Sequence, residues 1–295
     1  MVLDANVLSI GNPDNQSLAL SNLDDYQNSD NENVMHSVIT STLTVDGGSS
    51  YSAEEIDILS GNTLTISGTE TLATYDATIT GVLTSGGNSV YNIAHNFTNN
   101  GTFTQSTSMV NMNGSTAQAI GGSTATAFNN VTLSNTGAAV SASTNFSVGG
   151  NLDINASAVL TPAAGVIVSG AGTLTGSGTA QVSRTAATPD FSSQYTITNK
   201  TYTNLIVEYV GSSAQTVSDV VYGHLKISTT GGAVATLAGD TDITGNLTIS
   251  SSGTLATGSN YAINLGGNWY NAGSFSSNNS IVTFNASTTG KTIVT

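Results

Sequence analysis

The sequence predicts an all-β fold, a parallel β-helix (β-solenoid) built from coils of about 20 residues. Three observations carry that prediction. A triplet of Gly, a small or β-branched residue, then Leu or Phe recurs at Gly81-Val82-Leu83, Gly101-Thr102-Phe103, Gly172-Thr173-Leu174, Gly253-Thr254-Leu255 and Gly273-Ser274-Phe275. The apolar third residues at 83 and 103, and at 255 and 275, stand 20 apart; Ile120, Val140 and Leu160, and again Val217 and Leu237, keep that step. Short runs such as Leu43-Thr44-Val45, Ile56-Asp57-Ile58, Leu64-Thr65-Ile66, Val131-Thr132-Leu133 and Leu247-Thr248-Ile249 alternate apolar with polar residues, as half-buried strands do. Gly and Asn punctuate almost every run, which supplies tight turns.

Residues 1–35 stand apart. They are rich in Asn and Asp, contain Pro13 and show no sustained period. Their apolar residues Val7, Leu8, Ile10, Leu18 and Leu20 suit a cap over the first coil, in preference to a flexible leader. Residues 36–295 read as the repeats, roughly 13 coils and on the order of 60 Å at one strand spacing per coil. No segment shows a helical period, so almost no helix is expected. Larger modules also return: Gly150-Asn151-Leu152-Asp153-Ile154 recurs as Gly245-Asn246-Leu247-Thr248-Ile249, and the same module comparison sets His224 where Asn130 stands. Met1-Val2-Leu3-Asp4 has no signal-peptide pattern and Lys291–Thr295 falls partway through a repeat, which reads as a mature protein or a fragment.

Composition narrows the partners. Charged residues make up 7% and net charge is −14, with Arg184, Lys200, Lys226 and Lys291 the only basic side chains besides histidine. No basic patch exists to neutralise phosphates, so no nucleic-acid partner is expected. No apolar run approaches the roughly 20 residues of a spanning helix, and no membrane insertion is expected. Cysteine is absent, which removes disulfides and thiolate metal sites.

The modules GNLTIS…GTLATGSNYAINLGGNWYNAGSFSSNNSIVTFNAS and FSSQYTITNKTYTNLIVEYVGSSAQTV…YGHLKIS resemble the Ser/Thr/Asn/Gly-rich repeat regions of large Bacteroidetes-type secreted and surface adhesins. The resemblance covers roughly residues 36–295. It implies a single-stranded, right-handed parallel β-helix serving as an adhesin stalk or surface filament. It also implies export by a gliding-associated route through a separate C-terminal sorting domain.

Candidate chemistry is sparse. Asp240 and Asp242 form the closest carboxylate pair beyond Asp76 and are expected to point outward from a turn. Glycoside hydrolysis needs two carboxylates across a groove, and a solvated turn is the simpler account. His36, His95 and His224 lack a shared metal spacing. The stretch from Asp24 to Glu32 offers oxygen ligands for calcium without the spacing of a known calcium loop, so no cofactor is expected and calcium there is the one alternative. Thr63-Leu64-Thr65, Thr78-Ile79-Thr80, Thr196-Ile197-Thr198 and Thr241-Asp242-Ile243-Thr244 are reminiscent of ice-binding Thr arrays, but their spacing drifts. Tyr195, Tyr202, Tyr209 and Tyr222, and Trp269-Tyr270, are expected to pack at coil corners; exposed, they would suit sugar stacking. No catalytic, cofactor-binding or metal residue is therefore assigned. The expected function is non-enzymatic, an extracellular stalk or filament segment with head-to-tail self-association into fibres and surface glycans or matrix as partners. The alternatives are a carbohydrate-binding or polysaccharide-cleaving β-helix and a calcium-dependent adhesive module.

Overall fold

The computed structural model describes residues 8–10, 25–27, 33–39, 42–45, 50–186 and 188–295. Its strands stack as parallel coils, about 12 turns of about 21 residues. The only α-helix among the described residues is Asp190–Gln194. The chain divides into two compact units, Met1–Asp153 with Gly170–Gly172, and Ile154–Ser169 with Thr173–Thr295.

In the first unit the long strands Ser50–Ile58 and Thr71–Ile79 each serve two faces of their coil. The first half of Thr71–Ile79 pairs with Val90–Ile93 and the second half with Asn96–Asn99. A third face stacks Leu43–Val45, Thr63–Ser67, Val82–Gly86 and Thr102–Thr104. Like side chains meet in register there: Leu43 faces Leu64, Leu64 faces Leu83 and Leu83 faces Phe103, all buried. Phe97, Phe103, Phe128 and Phe146 extend the core as edge-on or tilted ring contacts with centroids 5.3 to 5.9 Å apart. That geometry suits the quadrupoles of neighbouring rings.

The second unit also has three faces. One stacks Ile206–Tyr209, His224–Ile227, Leu247–Ile249 and Trp269–Asn271. Another stacks Gln215–Val217, Ala235–Leu237, Thr254–Ala256 and Ser274–Ser276. The third stacks Thr241–Ile243, Ile263–Leu265 and Val282–Phe284.

The recurring Gly triplet has a steric cause. The N–H of Thr102 donates to the Gly81 carbonyl one coil below at 2.9 Å, and that of Ser274 to the Gly253 carbonyl at 2.9 Å. A Cβ on Gly101 or Gly273 would collide with those same oxygens. Glycine is needed here for close approach of backbones, since neither position has a positive φ.

The expected anchor pairs Leu83/Phe103, Val217/Leu237 and Leu255/Phe275 are register partners. Ile120 differs: it faces Ala142, two positions beyond Val140. The step is elastic as well, 27 from Ala180 to Val207 and 18 from Val207 to Leu225. The longer step contains the helix, which follows Pro189 and opens with Asp190.

The expected drift of outward threonines does not hold on one face. Thr44, Thr65, Thr84 and Thr104 occupy a single register column there, beside Thr63, Val82 and Thr102. The runs compared in the sequence lie on different faces, which made them look irregular. Of the expected cap, Leu8–Ile10 pairs parallel with Leu43–Val45 and Asp25–Gln27 antiparallel with part of Asn33–Ile39. The remainder of that segment, including most of the stretch from Asp24 to Glu32 considered for calcium, lies outside the described residues.

Candidate functional site

Several polar side chains at or beside the turns are committed to the neighbouring coil. His224 Nδ1 accepts the N–H of Asn246 at 3.0 Å, Asn246 Oδ1 that of Asn268 at 2.9 Å, and Asn268 Oδ1 that of Thr292 at 2.8 Å. In the first unit Asn130 Oδ1 accepts the N–H of Asn151 at 2.9 Å and Asp76 Oδ1 that of Asn96 at 2.9 Å. The placement of His224 where Asn130 stands thus reflects a shared task. Each satisfies a backbone donor that a turn would otherwise strand. Burial holds the His224 imidazole below the usual histidine range, in keeping with a neutral acceptor.

Asp240 and Asp242 are exposed, as expected, and both are engaged. Asp240 Oδ1 accepts the N–H of Ala262 at 2.8 Å, and Asp242 Oδ1 accepts Asn264 Nδ2 at 2.8 Å. They act as rungs between coils in this geometry. A larger polar ladder runs through Glu208, whose side chain is buried. Its Oε1 meets Lys226 Nζ at 2.8 Å and Ser228 Oγ at 2.7 Å, while Oε2 accepts Gln181 Nε2 at 2.9 Å. Burial alone would raise the Glu208 carboxyl; the hydrogen bonds from Lys226, Gln181 and Ser228 outweigh it and hold the group below the ordinary range.

The tyrosines considered for sugar stacking are largely core. Tyr195, Tyr209 and Tyr222 are fully buried, and Trp269 is buried too. Phe191 of the helix packs against Tyr195, Tyr202 and Tyr222. Tyr209 and Tyr222 share a hydroxyl contact of 3.0 Å, closed by Tyr222 Oη donating to the Ser218 carbonyl at 2.8 Å. Asp190, also buried, accepts the N–H groups of Ala186 and Thr216 and so ties the helix to the stack. Burial pushes its carboxyl up, against the pull of those two N–H groups and of Arg184.

Tyr270, named with Trp269 in the sequence, is 37% exposed, and Tyr75, not singled out there, is more exposed still. Tyr75 lies at the bend of Thr71–Ile79 and is 46% exposed. Its ring stacks on the His95 imidazole, centroids 4.7 Å apart and planes 17° from parallel. His95 is in turn fixed by Asp76, with Nδ1 3.0 Å from Oδ1 and 3.1 Å from Oδ2. Beside this platform opens a cleft of about 280 Å3, lined by Ser52, Glu54, Thr74, Tyr75, Asn92 and Asn113 among others. Two larger hollows in the second unit, one around His224 and Lys226 and one around Asp242 and Asn264, have among their lining the coil-to-coil partners already named. The Tyr75 cleft alone of the three has a tyrosine, phenylalanine or tryptophan ring in its wall. Among the described residues no three His, Asp or Glu side chains converge as a metal site.

No family model matches the chain, and neither a curated protein nor a solved structure matches it.

Proposed function

We propose that this chain is a non-enzymatic, extracellular structural and adhesive segment, a piece of stalk or filament at a cell surface, as its repeat resemblance to surface adhesins implies. One observation supports the reading above others: Asp240, Asp242, His224 and Glu208, the groups best suited to chemistry, are each spent on holding one coil to the next. Head-to-tail association into fibres belongs to the same reading.

Immunogold labelling of intact cells that make this protein tests the location. Label on the outer surface is expected; label confined to the interior contradicts the proposal. A reducing-sugar assay on neutral and acidic polysaccharides addresses the enzymatic alternative. No turnover is expected, and turnover abolished by Asp240→Asn or Asp242→Asn would overturn the non-enzymatic reading. Sedimentation at high concentration addresses assembly, where only monomers would remove the fibre element.

A further inference from the structure

The geometry around Tyr75 points to a binding site for an uncharged glycan, a neutral hexose chain laid along the cleft beside Tyr75. The inference rests on the adhesive part of the reading above and gives it a ligand. The first argument is the ring. One face of Tyr75 is supported by His95, and nearly half the residue remains exposed. An aromatic face carries negative quadrupolar potential, and the C–H face of a pyranose is apolar and slightly positive, so the two stack. His95, itself held by Asp76, fixes the ring before any ligand arrives, which lowers the ordering cost of binding.

The second argument is the arrangement of polar groups. Ser52 and Ala73 are register partners, as are Ala73 and Asn92, and Asn92 and Asn111, so the cleft crosses successive coils. Four strands span about 14 Å at the usual strand spacing, a length suited to a short oligosaccharide. Glu54, Asn92 and Asn113 line it with carboxylate and amide groups that bond sugar hydroxyls. Asn111 Nδ2 donates to Asn92 Oδ1 at 2.8 Å, which orients the Asn92 amide.

The third argument is charge. The sequence has no Lys or Arg before Arg184, so the unit carrying the cleft holds neither, while Glu54, Glu55, Asp57 and Asp76 lie on the two strands that form it. A uronate or sulfated polysaccharide meets only like charge there. A neutral chain does not.

The test is titration of the 15N-labelled chain with cellohexaose, laminarihexaose and maltohexaose, followed by amide NMR. At least one neutral hexaose should produce saturable shifts at Ser52–Glu54, Ala73–Tyr75 and Asn92–His95. Tyr75→Ala should weaken binding by tenfold or more, with the melting temperature unchanged because the ring is at the surface. Tyr75→Phe, which keeps the stacking face, should bind within a few-fold of the natural chain. Hexagalacturonate should not shift these amides. The inference is overturned by an absence of shifts with all three neutral sugars, by equal binding in Tyr75→Ala, or by preferential binding of hexagalacturonate. None of those outcomes touches the surface labelling, so the stalk reading is judged separately.

Discussion

At the scale of single residues, the side chains that look most like chemistry serve as links between coils, and two of them give the fold a pH dependence. His224 accepts a backbone N–H and its pKa is lowered by burial. A histidine with a depressed folded pKa stabilises fully above its unfolded value of about 6.5, and that contribution is lost as pH falls below it. His224→Ala should cost about 1 kcal/mol at neutral pH by stranding the Asn246 N–H. His224→Asn, which repeats the natural choice at Asn246 and Asn268, should restore stability and remove this part of the acid sensitivity. Thermal melts of the three proteins between neutral and mildly acid pH check both points. Glu208 also has a lowered pKa, so its contribution is present above about 4.3 and is lost as pH falls through the folded value. Lys226→Ala leaves the buried carboxylate with Gln181 and Ser228 only. The expected loss is about 1–2 kcal/mol by urea denaturation, below that of a fully buried pair because Lys226 is 40% exposed and water screens it.

At the scale of the coil, the Gly triplet and the inward apolar column were legible because the stack leaves them no freedom. Gly101→Ala should destabilise by about 1–3 kcal/mol, since its Cβ meets the Gly81 carbonyl. Gly165→Ala, with nothing within 4 Å, should stay within about 0.5 kcal/mol of the natural protein. Urea midpoints for the two variants separate the effect of close approach from that of glycine removal. Other features were hidden for identifiable reasons. The slip of Ile120 onto Ala142 depends on turn lengths, which vary freely at the surface. The Thr column from Thr44 to Thr104 was obscured because a linear reading mixes three faces. The helix carried a local signal in Thr188-Pro189-Asp190, with Pro at the start and an acid in the first turn, but five residues are too few for a period to show.

At the scale of the whole molecule, the fold class was readable and the candidate site was not. Alternation and repeat report what faces inward, where the physics is strict. Tyr75 is one Tyr among ten, and what distinguishes it, a bend in Thr71–Ile79 and a stacked His95 from the next coil, exists only after the coils are wound. The same limit explains why Tyr195, Tyr209 and Tyr222, neighbours in sequence, were considered together and proved to be core. In both units, side chains at or beside the turns are structural acceptors for the adjoining coil. Amide hydrogen exchange followed by NMR tests that arrangement most directly. The N–H groups of Asn96, Asn151, Asn246, Ala262, Asn268 and Thr292, each received by a side chain, should be protected well above free turn amides. Exchange of these six at unfolded-chain rates, while the strand amides stay protected, would contradict it.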